Sequence, residues 1–185
     1  MSQPELDFAR HAARLLGAHA LADADPAPLA GLLARSRERR YATGEVLFRD
    51  GDAAGELLFL LEGRVSVTKK DADGRDRRIG EWFAPAIVGG LAAVEGGRRS
   101  ATCVAGAPSV VAALAADDAR AVLGDPGPAG AELRFILLSA FTEALANTTR
   151  YLRALLVEPP AGGPSAPSPA PDFDQLLAFL HGAKR

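Results

Sequence analysis

The chain has 185 residues, 24% of them charged, and a formal net charge of −2. That length suits one domain with a real core plus extra segments, and the charge balance gives no overall pull toward a nucleic acid or any other charged partner. A single cysteine, Cys103, excludes a disulfide framework and a cysteine-held metal or iron–sulfur site within one chain, and no stretch approaches the roughly 18 apolar residues that span a bilayer.

The N-terminal sequence MSQPELDFARHAARLLGAH lacks the basic start and unbroken apolar core of a signal peptide. A cytoplasmic protein without a membrane association is therefore expected, in keeping with the cysteine usage. Residues 4–20 place Leu6, Ala9, Ala13 and Leu16 at helical spacing, with Arg10 and Arg14 on another face. The Asp25-Pro26-Ala27-Pro28 stretch interrupts them, because proline removes a donor and disfavours helix before it. A second short helix is predicted through Leu29, Leu32 and Leu33.

From Tyr41 short apolar runs alternate with turn residues. Val46-Leu47-Phe48, Leu57-Leu58-Phe59-Leu60-Leu61 and Val65-Ser66-Val67-Thr68 are separated by Gly51-Asp52 and Gly63, and Asp71-Ala72-Asp73-Gly74 forms the next turn. Further strands are predicted near Arg78–Trp82, Ala86–Val88, Ala101–Ala105 and Val110–Leu114. Such spacing predicts a mainly β fold with flanking helices: a double-stranded β-helix, or jelly-roll barrel, followed by a long C-terminal helix.

Helical spacing returns at Asp117-Asp118, runs through Val122-Leu123 and stops in Gly124-Asp125-Pro126-Gly127-Pro128. A long helix is predicted from about Ala131 to Val157. Along it Leu138, Phe141, Leu145, Thr148, Leu152 and Leu155 repeat by three and four, the rhythm of a coiled-coil seam. Packing on its own barrel is the alternative for this stripe, but it outruns what one small barrel can cover, which favours a homodimer through residues 131–157. Pro159–Pro171 reads as an extended linker of proline, glycine, serine and alanine. Asp172 then caps a short amphipathic helix carrying Phe173, Leu176, Leu177 and Leu180. The expected segments are a helical lead at 1–25, the barrel and its helix at 26–157, the linker at 158–171 and the final helix at 172–185.

Three motifs stand in a fixed order: Gly51-Asp52 after Leu47-Phe48, the run Leu57–Val67 containing Glu62-Gly63-Arg64, and VGGLAAVEGGRRSAT over 88–102. Together they resemble the cyclic nucleotide-binding domain of catabolite-activator-type regulators, kinase regulatory subunits and gated channels, over roughly Pro28 to Leu156. The resemblance implies a jelly roll with helices at both ends and a phosphate-binding loop of the form Phe-Gly-Glu-Leu-Ala-Leu, then Pro-Arg-Ala/Ser-Ala-Thr. Gly89, Leu91, Arg99, Ser100, Ala101 and Thr102 match that pattern. Val88 replaces its aromatic residue, Gly90 its glutamate and Arg98 its proline.

The phosphate-binding residues implied by position are Gly89, Gly90, Leu91, Ala92, Arg99 and Ser100. A glycine turn opening a short helix gathers backbone N–H groups, and arginine offers a planar charged fork. The replaced glutamate is the group that accepts from the sugar hydroxyl. Its loss at Gly90 removes a hydrogen bond to a charged group, worth about 1.5–3 kcal/mol, or roughly ten- to a hundred-fold in affinity. A base contact from the long helix is implied at Thr148, with Thr142 and Thr149 as alternatives. The ligand class is then a cyclic nucleotide, cyclic AMP or cyclic GMP, or another anionic nucleotide large enough to use the room at Gly90.

Other chemistry is thin. His11, His19 and His181 show no metal-ligand spacing, no serine sits in a nucleophile elbow, and Cys103 reads as a small buried hydrophobe. Trp82-Phe83 reads as barrel core, with a pocket wall as the alternative. No catalytic residue, metal or resident cofactor is expected. Fourteen residues after the linker are too few for a recognition helix with its scaffold, so direct DNA binding is not expected. A non-enzymatic regulatory protein acting through protein contact follows, with a partner site at 172–181. The other readings are a ligand-independent dimeric scaffold of the same fold and, for the terminal helix, folding back onto its own domain.

Overall fold

The computed structural model describes residues 7–70 and 73–156, without the side chains of 147, 148 and 150–156. The proposed linker and terminal helix, and Leu6, lie outside the described residues. Two compact units divide the chain, residues 1–141 and 142–185.

Two helices lead. Helix α1 (Phe8–Ala18) is capped by the Asp7 carboxylate, which accepts from Arg10 N–H at 2.9 Å, and α2 (Ala27–Ala34) opens with Pro28 in its first turn. The first strand, β1 (Arg37–Tyr41), reads RERRY and was not legible as a strand. It is an edge strand paired only to β8, so its side chains need not be apolar.

The strands β2 (Val46–Phe48), β3 (Glu56–Glu62), β4 (Arg64–Lys70), β5 (Asp76–Phe83) and β6 (Ala86–Val88) follow. Then come α3 (Gly90–Glu95), β7 (Thr102–Ala105), β8 (Ser109–Ala115), α4 (Ala116–Gly124) and α5 (Pro128–Leu156). Two antiparallel four-stranded sheets result, ordered β1-β8-β3-β6 and β2-β7-β4-β5. This is the expected jelly roll with flanking helices.

The run of five apolar residues in β3 has a simple cause, because both faces of that strand are covered. Leu57, Phe59 and Leu61 point to an outer layer shared with α1, α2, α4 and the first turns of α5. Leu58 and Leu60 point to an inner layer between the sheets, with Val65, Val67, Val88, Ala101, Cys103, Val111 and Ala113. Strand β8 divides in the same way, Ala112 and Leu114 outward, Val111 and Ala113 inward.

Helix α5 begins three residues before the expected Ala131, since Pro128 is suited to a first helical turn, where its missing N–H costs nothing. Its buried hydrophobic side chains in the first unit are Leu133, Ile136 and Leu137, all in the outer layer, and Glu132 is buried on the same helix. In the second unit the described residues are helical through Leu156, and Leu145 is 69% exposed. Phe83 corrects one expectation. Trp82 packs against the inner layer, but Phe83, next along the strand, projects the other way and is 62% exposed.

Candidate functional site

The turn 88–91 sits where the two layers meet. Val88 ends β6 in the inner layer, and Gly89 then turns the chain at φ +67° as the N-cap of α3. Side chains other than glycine rarely adopt that conformation. A Cβ at Gly89 would run into the Nη1 of Arg99 and come within 3.1 Å of the Phe48 ring. At Gly90 the direction reverses. A Cβ there would meet Leu137 Cδ2 at 3.0 Å, Ile87 Cγ2 at 3.1 Å and Leu57 Cδ1 at 3.5 Å, all outer-layer side chains.

Position 90 therefore carries more than a missing carboxylate. Its lack of a side chain lets the start of α3 lie against α5, and a glutamate there would leave the chain into an apolar layer. Arg120 of α4 holds the other end of α3, donating to Ala93 O at 2.8 Å and pairing with Asp117. Arg134 of α5 closes α4 in turn, donating to Leu123 O at 2.6 Å and to Asp125 O at 2.8 Å.

Arg99 is 5% exposed. Its Nη1 donates to Gly89 O at 2.7 Å and its Nη2 to Glu56 O at 2.6 Å, while the guanidinium carbon lies 4.3 Å from the centre of the Phe48 ring. Its Nε is buried with no hydrogen-bond partner. Burial pushes the arginine's pKa down, and the carboxylates of Glu56 and Asp52 pull it back. Its main chain is fixed as well, by Gly51 N–H to Arg99 O and Arg99 N–H to Asp52 O, both 2.8 Å.

Neighbouring residues of the loop face elsewhere. Arg98 is exposed and donates to Gly51 O at 2.7 Å, as expected for adjacent side chains on an extended segment. Ser100 is exposed, and its carbonyl accepts from Lys69, which also pairs with Asp50 at 2.8 Å. Leu91 is 54% exposed, Ala92 is half-buried and Glu95 is exposed. Thr148 lies among the residues whose side chains are not described, and Thr149 donates to Leu145 O at 2.9 Å within its own helix. The structure thus brings Gly89 and Arg99 together and turns Gly90 away from them.

Phe48 and Glu56 were not singled out from the sequence. Phe48 had a signal, an aromatic residue just before Gly51-Asp52; Glu56 had none, because it contributes a main-chain carbonyl. Cys103 is fully buried, and burial pushes its thiol up to about 12. Among the described residues no three His, Cys, Asp or Glu side chains gather as a metal site, and no helix is long and apolar enough to cross a membrane.

Residues 38–125 match the cyclic nucleotide-binding domain family, and the two-sheet jelly roll around them is similar to the fold of that family. The CRP-like protein Clp of Xanthomonas campestris pv. campestris is 35% identical over 65 residues, 35% of this chain and 28% of that protein. The matched stretch thus spans just over a quarter of the length of the curated relatives. Among solved structures, a cyclic nucleotide-binding domain from Methylobacillus flagellatus superposes with a TM-score of 0.72 at 25% identity, covering 82% of this chain and 86% of that one. The Xanthomonas campestris global regulator CLP, described as responsive to c-di-GMP, has the same fold, with a TM-score of 0.66 at 22% identity over 85% of this chain and 71% of that one.

Proposed function

We propose that this protein is a non-enzymatic, cytoplasmic regulator whose jelly-roll domain takes an anionic nucleotide at the turn before α3 and acts through protein contact. The observation that carries the reading is Arg99: a permanently charged side chain, 5% exposed, packed directly beneath the glycine N-cap with its Nε unpartnered. The first N–H groups of a helix have no partner within it, so those of Gly90, Leu91 and Ala92 add main-chain donors at the start of α3. Cyclic AMP, cyclic GMP and the larger cyclic di-GMP are the ligands to compare. The larger one gains support from the c-di-GMP-responsive relative; the direction of position 90, into the outer layer, removes the room expected there.

Titration calorimetry of the three nucleotides into wild type and Arg99→Ala tests the reading. Heat from at least one of them, lost in Arg99→Ala, is expected. A second reading, a ligand-independent scaffold, is favoured by the two terminal nitrogens of Arg99 that already donate to the protein's own carbonyls. It predicts no heat with any nucleotide.

The contact surface proposed for a homodimer is the helical stripe through Leu138 and Leu145, 65% and 69% exposed. Leu138→Lys combined with Leu145→Lys is expected to turn a dimer into a monomer in sedimentation velocity. A single species of monomer mass for the wild type would remove the dimer from the proposal.

A further inference from the structure

We infer that Arg99 is a positioning residue: its guanidinium staples the turn before α3 to the start of β3, and it is not a free claw waiting for an anion. The inference rests on the protein's own contacts, so it stands or falls whether or not a nucleotide binds.

Three segments far apart in the chain converge on this one side chain. Nη1 holds the carbonyl of Gly89, ten residues away, and Nη2 holds the carbonyl of Glu56, 43 residues away. Phe48 of β2 covers the guanidinium face, 4.3 Å from its carbon. Each carbonyl belongs to a residue at an element boundary: Gly89 caps α3 and Glu56 opens β3. Neither main-chain oxygen is then left to find water inside a packed seam, and hydrogen bonds from a charged donor are the stronger kind.

The backbone of Arg99 is itself fixed on both sides by the 49–52 turn, so the staple has a rigid base. Position 89 completes the arrangement, because any side chain there would collide with Nη1. Lysine cannot replace this function, since one ammonium does not present the flat fork that meets two carbonyls at once. Arg98, exposed and bonded to a single carbonyl, is the natural control.

The consequence for ligand entry is specific. An anion reaching Arg99 meets a guanidinium with two of its five N–H donors turned inward, so only the remaining N–H groups, the unpartnered Nε–H among them, are left to receive it. The staple thus holds the α3 donors in place before any ligand arrives.

Two measurements on nucleotide-free protein test this. In proton–nitrogen spectra of arginine side chains, the Arg99 guanidinium protons of the wild type are expected to exchange with water about ten-fold or more slowly than those of exposed arginines such as Arg98. Exchange at the same rate would overturn the inference without any substitution being made. In hydrogen–deuterium exchange, Arg99→Lys is expected to speed the amides of Gly90, Leu91 and Leu57 by roughly ten- to a hundred-fold, the span set by losing one charge-assisted hydrogen bond, while α1 stays unchanged. Arg98→Lys is expected to leave all of them as in wild type. Unchanged exchange at Gly90 and Leu57 in Arg99→Lys, or an equal rise in Arg98→Lys, would contradict the positioning role.

Discussion

The two apolar layers of the domain are closed by different means. The outer layer is built from leucines, alanines, two isoleucines and one phenylalanine of eight elements, with no arginine among them. The inner layer lies between the sheets, and at the α3 end its edge is finished by a charged side chain, Arg99, resting on Phe48. Gly89 and Gly90 stand on the seam, one facing the arginine and the other facing Leu137. The difference separates stability from chemistry: the outer layer carries most of the packing, and the seam carries the groups proposed to meet an anion.

Breaking the outer layer is expected to have the largest effect. Phe59→Ala removes a fully buried ring and should cost about 3–5 kcal/mol in urea unfolding. A loss under about 1 kcal/mol would mean that the layer is not the core it is taken to be.

The seam comes next, and its two glycines should fail differently. Gly89→Ala forces a left-handed backbone, about 1–2 kcal/mol, and displaces the guanidinium, so both stability and nucleotide binding should fall. Gly90→Ala asks only that Leu137 and Ile87 give by a few tenths of an ångström, and should cost about 1 kcal/mol or less. Gly90→Glu should cost more than Gly90→Ala, because it directs a carboxylate into the outer layer, and it should not tighten cyclic AMP binding. A gain in affinity would show that the side chain turns back toward the sugar.

Smaller effects come from two buried titratable groups of the helices, and they have opposite signs. Glu132 of α5 is nearly buried. Burial first, then Asp25, raises its carboxyl above 4.5, against a hydrogen bond from Leu29 N–H at the start of α2. The folded state then holds this proton more tightly than the unfolded one, so Glu132 favours the fold as pH falls toward 4.5 and burdens it at neutral pH. Glu132→Gln should keep or raise the thermal midpoint at pH 7.5 and remove that acid-side gain.

His11 of α1 behaves oppositely, since burial lowers its pKa below 6.5 despite Glu62 at 3.8 Å. Its contribution is present above pH 6.5 and is lost as pH falls from there toward the lower folded value. His11→Gln should flatten stability against pH in that window. An unchanged slope would place the sensitivity in other groups.

Most of the architecture was legible in the sequence because its signals are local. Alternating strands, glycine turns and the unbroken LLFLL of β3 announce a strand covered on both faces. The seam was legible only in part. Gly89 and Arg99 can be picked out as a pair of residue types, but the partners of Arg99 are main-chain carbonyls, which carry no residue signature. The direction of position 90 was likewise invisible, because it depends on Leu137, 47 residues on and known only once α5 is docked on the sheet. RERRY carries no strand signature because an edge strand is held by its backbone, and the apolar character of Phe83 does not say which side of the strand it takes.

The central claim is that an anionic nucleotide binds at the Gly89–Arg99 seam, and nitrogen-labelled backbone spectra recorded during titration with cyclic AMP, cyclic GMP and cyclic di-GMP test it most directly. Saturable shifts concentrated at Gly89, Gly90, Leu91, Ala92 and Ala101, and absent in Arg99→Ala, are the predicted result. Spectra that no nucleotide moves at those positions, or shifts gathered on another part of the domain, would contradict it.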